Sequence, residues 1–141
     1  MCWVYKNVLF TEEMIDDYVG FIYLITEKDT LRQYIGQKVF FNKIAKKPLK
    51  GKKNRRISKK QSDWMDYYGS SDELKNQVDL KGKENYIREI IRLCSSKSEM
   101  NYWEAYEIFN RHALLQPEKF YNSWVSSRIN RNQVKRMIDE F

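Results

Sequence analysis

Hydrophobic positions along this chain fall into short blocks separated by polar turns, and each block predicts an element. Phe21-Ile22-Tyr23-Leu24-Ile25 is a continuous run of β-formers and predicts a buried strand. Glu27-Lys28-Asp29-Thr30 supplies the turn, and Arg32 to Ile35 a shorter return strand, giving a hairpin. Tyr86 to Leu93 predicts a third strand with imperfect alternation. Before the hairpin, Trp3 to Asp17 holds a short strand and then a helix capped by Thr11, with Glu12 and Glu13 in its first turn.

Two capping boxes place the longer helices. Ser70 and Glu73 bracket one helix start, and that helix stops at Lys81-Gly82. Ser96 and Glu99 open a second helix that runs to about Leu115, before Pro117. Asn132 to Phe141 is a last amphipathic helix. Lys43 to Lys60, interrupted by Pro48 and Gly51 and nearly free of apolar periodicity, predicts an irregular, exposed loop. The order of elements predicts an α+β fold: a small three-stranded, mainly antiparallel sheet, made of the hairpin plus a third strand, flanked by helices. Residues 20–124 form the main domain, with a basic insertion at 43–60. Residues 1–19 are an N-terminal extension packed on it, and residues 125–141 a C-terminal helical extension.

Composition narrows the class. With 141 residues, 42% of them hydrophobic, the chain has the material for one domain with a core. It contains no run near the roughly 20 apolar residues of a membrane span and no basic-then-apolar leader pattern. Cys2 and Cys94 are too few and too far apart for a disulfide framework or a metal cluster. A soluble, reduced, cytoplasmic protein is expected. The net charge of +7 is unevenly spread: Thr30 to Ser62 holds 12 of the 26 Lys and Arg and no acid, and the remainder carries 14 basic against 19 acidic residues. A focused basic patch on an acidic body suggests a polyanionic partner, although a solvated loop would also carry such a run.

Candidate chemistry sits on the second helix and the hairpin. Glu104 lies four residues after Met100 and four before Ile108, on a stripe that packs inward. A carboxylate there needs a metal ion, a Lys or an Arg, or must turn outward. Tyr23 and Tyr34, one on each hairpin strand and each near a glycine, are ordinary strand residues taken singly. His112 follows Glu104 by two helical turns, about 12 Å, too far to share its site, and is taken as structural. Glu107 faces solvent or pairs with a basic side chain.

Gly20-Phe21-Ile22-Tyr23, ten residues, then Tyr34-Ile35-Gly36 resembles the paired motif of the GIY-YIG nuclease superfamily. Trp64 with Tyr67-Tyr68-Gly69-Ser70-Ser71, Gly82-Lys83-Glu84-Asn85-Tyr86 followed by Ile90-Ile91, Glu104, and Tyr121-Asn122 continue the resemblance in order, over Gly20 to Trp124. It is closest to free-standing phage-encoded enzymes of the homing or host-DNA-degrading type. The resemblance implies a metal-dependent endonuclease acting on double-stranded DNA, in the cytoplasm of the host cell if phage-encoded. Glu104 would be the metal ligand for Mg2+ or Mn2+. Tyr23 would take a proton from the attacking water, Tyr34 would orient water or phosphate, and Asn122 would brace the site. Two departures stand out: the first glycine is displaced by one position, and Ile44 stands where the family has an arginine. Lys38, or Arg55 or Arg56, would replace that cation. DNA would be held by Lys46, Lys47, Lys50, Lys52, Lys53, Arg55, Arg56, Lys59 and Lys60, largely through phosphates. A nucleic-acid-binding protein without catalysis, or a nuclease acting on RNA, would carry the same charge. Monomer and homodimer are both open.

Overall fold

The computed structural model describes residues 2–54 and 56–138. Its main sheet has five strands rather than the three expected. The hairpin is β3 (Gly20–Glu27) and β4 (Gln33–Val39), and β7 (Tyr86–Cys94) lies antiparallel on the other side of β3. The two additional strands are β1 (Trp3–Tyr5), parallel to β7, and β2 (Val8–Leu9), antiparallel to β1. They are too short to carry a period in sequence; Trp3, 1% exposed and donating its indole N–H to the Trp64 carbonyl at 2.6 Å, fixes them in place. Thr11 opens a single 3-10 turn, Glu12–Met14, not a longer helix.

The two faces of β3 pack against different layers. Phe21, Tyr23 and Ile25 join Trp3, Phe10, Phe40, Trp64 and Leu74 on one face, while Ile22 and Leu24 meet Ile35, Met100 and Ile108 on the other. Strand alternation alone accounts for this division. Helix α1 (Asp72–Lys81) lies against the first face and α2 (Lys97–Asn110) against the second. Ser71, not Ser70, caps α1, accepting from the Leu74 N–H. Ser96 caps α2 as expected, but α2 ends at Asn110 and a separate 3-10 turn covers Ala113–Leu115. His112 therefore leaves the helix face shared with Glu104; it is exposed, in the left-handed region at φ 54°. A register shift where β7 passes Ile22 and Tyr23 explains the imperfect alternation of β7. The extra residue turns Arg92 toward α2, where it stacks on Trp103 at 3.7 Å and pairs with Glu107 at 3.1 Å.

The basic segment is not an irregular loop. It folds as an antiparallel ribbon, β5 (Phe41–Lys46) paired with β6 (Arg56–Gln61), apart from the main sheet. A two-stranded ribbon standing in solvent buries neither face, so its sequence needs no apolar alternation to support the backbone ladder. Its stem is clamped where the Ser62 N–H donates to the Phe40 carbonyl at 2.8 Å and the Ser62 hydroxyl to the Val39 carbonyl at 2.6 Å. After α2 the chain runs along the outer edge of β4 and continues to a 3-10 turn, Arg131–Val134, and a short helix, α3 (Lys135–Ile138). No described helix is long and apolar enough to cross a membrane.

Candidate active site

Tyr23 sits on β3, directly opposite Gly36 on β4. Its ring is fully buried, and its hydroxyl occupies the space that a Cβ at Gly36 would fill. The glycine is thus needed for a close approach: it lets a tyrosine on an inner strand reach across β4, the edge strand of the sheet. Gly20 serves similarly on the other face, where a Cβ would collide with the Met100 thioether of α2. Tyr34 and Lys38, facing Ile25 and Phe21 across the ladder, share the face of Tyr23. The Tyr23 and Tyr34 ring centroids are 6.1 Å apart, and Tyr67 meets Tyr23 edge-on at 5.9 Å.

Each polar group in this cluster has a distinct setting. The Tyr23 hydroxyl is buried and, among the described residues, has no hydrogen-bond partner at normal distance, although the Tyr67 hydroxyl is close enough to influence it. Burial, followed by the neighbouring Tyr34 and Tyr67, raises its pKa well above that of a free phenol. Tyr34 is also shifted upward by burial, opposed by its 2.8 Å hydrogen bond with the Ser70 hydroxyl. Lys38 pairs with Asp63 at 2.7 Å and lies 4.1 Å from the Tyr67 ring centroid. That pairing holds the Asp63 carboxyl below its ordinary value.

Glu104 approaches the same edge from the opposite face. Met100 and Ile108, one turn to either side, are fully buried, and Glu104 between them is half-buried. Burial raises its pKa, opposed by a hydrogen bond from Gln37 of β4 and by the charge of Lys97. Gln37 in turn donates to the Asn101 side chain at 2.9 Å and accepts from Lys97 at 2.9 Å. The carboxylate is near enough for both Tyr23 and Tyr34 to feel its charge.

Asn122 is buried and makes two hydrogen bonds to one residue of β4. Its side-chain oxygen accepts from the Ile35 N–H at 3.0 Å, and its amide donates to the Ile35 carbonyl at 2.8 Å. It pairs the open backbone edge of the strand that carries Tyr34 and Gly36. Neither of these bonds reaches a tyrosine hydroxyl.

Sequence reasoning therefore named residues that the fold brings together: Tyr23, Tyr34, Lys38, Glu104 and Asn122. It overlooked Gln37, Tyr67 and Lys97, and gave Ser70 to a helix cap instead of to Tyr34. Period-two reading of β4 would have put Gln37 on the Glu104 face; Lys97 and Tyr67 carry no such signal. Ile44, in the position of the family arginine, is on β5 and exposed. Lys47, Lys50, Lys52, Lys53, Lys59 and Lys60 are exposed on the ribbon. Arg55 and the side chains of Lys46 and Arg56 lie outside the described residues.

A divalent ion fits this donor set only with most of its water shell retained. Among the described residues no group of three or more His, Cys, Asp or Glu side chains could enclose a metal. One half-buried carboxylate beside a buried hydroxyl suits a hydrated hard cation, which takes one or two protein oxygens. Zinc, which needs three or four protein donors, does not fit.

A family model described as "Putative endonuclease segE, GIY-YIG domain" matches residues 3–125. The match begins at β1 and ends just past Asn122, so it includes the two strands that the sequence reading set apart from the main domain. Neither curated proteins nor solved structures give a significant match. The chain belongs to the SegE-type GIY-YIG endonuclease-domain family.

Proposed function

We propose that this protein is an endonuclease that hydrolyses phosphodiester bonds of double-stranded DNA with Mg2+ or Mn2+. The observation that carries the reading is the convergence, at the β4 edge, of the buried Tyr23 hydroxyl, Tyr34 and Glu104, the one glutamate of α2 that has no ion pair among the described residues. Glu104 would hold the metal, which when bound supplies positive charge to the phosphate and leaving oxygens. Tyr23 orients the attacking water by accepting a hydrogen bond. To act as the base that takes the water's proton, it must first lose its own, which burial opposes and added positive charge beside Glu104 favours. Tyr34, fixed by Ser70, orients water or phosphate. Lys38 supplies fixed charge to a non-bridging oxygen if phosphate displaces Asp63, which is exposed. The ribbon lysines hold the duplex through its phosphates. The resemblance to free-standing phage-encoded enzymes extends the proposal to a homing or host-DNA-directed role.

Relaxation of supercoiled plasmid by the purified protein tests this, with EDTA and Glu104→Ala as controls. Metal-dependent nicking or linearisation lost in the variant is expected, and the ratio of nicked to linear product bears on monomer versus dimer. Activity retained in Glu104→Ala, or restricted to structured RNA offered in parallel, would overturn the assignment. One observation favours a second reading, a binding protein without catalysis: Ile44 replaces the arginine and Lys38 is already paired. That reading gains if the protein shifts DNA in a salt-sensitive way and cuts nothing with either metal.

A further inference from the structure

Of the four tryptophans, Trp3 and Trp64 are 1% exposed, while Trp124 is 72% exposed. Tryptophan is seldom left so open, because its ring forfeits more burial than any other side chain. Its place in the fold is well defined. The chain before it is bonded to β4, with the Tyr121 N–H donating to the Gln33 carbonyl at 2.8 Å and Asn122 paired to Ile35. The chain after it crosses to α2: Val125 packs against the cluster of Ile35 and Met100, and the Ser127 hydroxyl donates to the Asn101 carbonyl at 3.5 Å. Residues 122–127 are thus a strap from β4 to the α2 turn just before Glu104. Two residues of chain reach about 7 Å, so Trp124 stands beside the Asn122 anchor at the border of the site.

The strap leads into a second stretch of one-signed charge. From Lys119 to Ile138 there are five Lys or Arg and no acid. Arg128 and Arg131 are exposed. The basic ribbon springs from the other end of β4, so the candidate site lies between two cationic surfaces, of which only this one offers an exposed indole.

We propose that the strap is a second DNA contact, in which Trp124 stacks on a base next to the scissile phosphate and Arg128 and Arg131 bind the flanking phosphates. This rests on the proposed nuclease function and deepens it: the substrate strand runs along β4 from ribbon to strap, and a base near the cut is partly unstacked to meet the indole. Aromatic stacking of this sort tolerates any base, so it grips the strand without reading sequence.

The test uses the full chain carrying Glu104→Ala, titrated with a 5′-labelled 20-base-pair duplex. DNA anisotropy reports binding, and tryptophan emission reports the strap. Binding should quench emission, and Trp124→Phe should abolish the quench. Trp124→Ala should weaken binding about 5- to 100-fold, as for loss of one base stack, with an unchanged urea midpoint and salt slope. Arg128→Ala and Arg131→Ala should each lower the salt slope by about one. Binding by anisotropy with no change in emission, or a quench that survives Trp124→Phe, would overturn the strap contact and leave the nuclease reading standing. Absence of binding would overturn both. Emission that changes with protein concentration alone, with dimers in sedimentation velocity, would assign Trp124 to a second copy of the chain and also overturn the proposal.

Discussion

Helix α2 carries three glutamates toward the body of the protein, and their surroundings differ. Glu99, in the first turn, is buried and paired with Arg136; Glu107, also buried, is held between Arg92 at 3.1 Å and Arg111 at 2.9 Å. Glu104, between them, has no ion pair among the described residues and meets the amide of Gln37 instead. A fourth carboxylate, Glu27 at the end of β3, is 1% exposed and fully engaged by Lys81 and the Tyr121 hydroxyl. The sequence pattern places Glu27 in the hairpin turn, whereas it is the last residue of β3. Three carboxylates are ion-paired by the fold, and one is left partly desolvated with no ion pair among the described residues, only the weaker influence of the Lys97 charge. Such a group is a cost to folding unless something binds to it.

The strongest way to break the contrast is to neutralise each glutamate in turn. Glu104→Gln should lower plasmid cleavage by about 10^3-fold, the scale of losing one transition-state charge interaction. Its urea midpoint should hold or rise, because the charge removed was one that burial opposed. A midpoint that falls with activity intact would make Glu104 structural. The close approach that completes the site can be attacked next. Gly36→Ala forces a Cβ into the Tyr23 hydroxyl, and overpacking there should cost about 1–3 kcal/mol in urea denaturation and most of the cleavage rate. Unchanged rate and stability would mean that the Tyr23 ring has another seat.

Asn122→Ala should cost about 1–3 kcal/mol, since it leaves the N–H and carbonyl of Ile35 without partners. Cleavage should fall through kcat more than through DNA affinity if Asn122 only positions β4; an effect confined to affinity would place it on the DNA. Glu107→Gln is the converse of Glu104→Gln. Both arginine partners are about a third exposed, so the loss should be about 1–2 kcal/mol, less than for a fully buried pair, with cleavage preserved.

Proton linkage gives the finest comparison. The Glu104 pKa is raised on folding, so metal-free native protein binds more protons than the unfolded chain above the ordinary carboxylate range. Its contribution to stability is therefore present below the unfolded value and is lost as pH rises through the folded one. Asp63, held low by Lys38, acts in the opposite sense: its contribution is present above the unfolded value and is lost as pH falls through the folded one. Urea midpoints measured in EDTA across the acid range should fall less steeply with rising pH in Glu104→Gln than in the parent. Identical slopes would mean that Glu104 titrates alike in both states.

The two ribbons of the molecule show what the sequence could reveal. The β3–β4 hairpin was legible because β3 is buried on both sides, and burial of that kind selects a continuous apolar run. The β5–β6 ribbon carries no such mark, because exposed pairing does not select an apolar pattern. The cap at Ser71 in place of Ser70, a one-residue difference, released Ser70 for Tyr34, and two adjacent serines cannot announce which will serve. The bulge that turns Arg92 toward Glu107 was visible only as imperfect alternation in β7.

By itself, the sequence determined the hairpin, the third long strand, the two principal helices and the family to which the chain belongs. These follow from local patterns, since which face of an element is buried, and which residue can stand at a cap or a tight approach, is written within a few positions. Only the tertiary structure decided that β1 and β2 extend the sheet, that Glu107 finds two arginines while Glu104 finds none, that Asn122 grips Ile35, and that Trp124 stands open beside the site. Each depends on groups far apart in sequence meeting across packed layers, and hydrophobic pattern fixes the layers but not the partners of a polar atom within them.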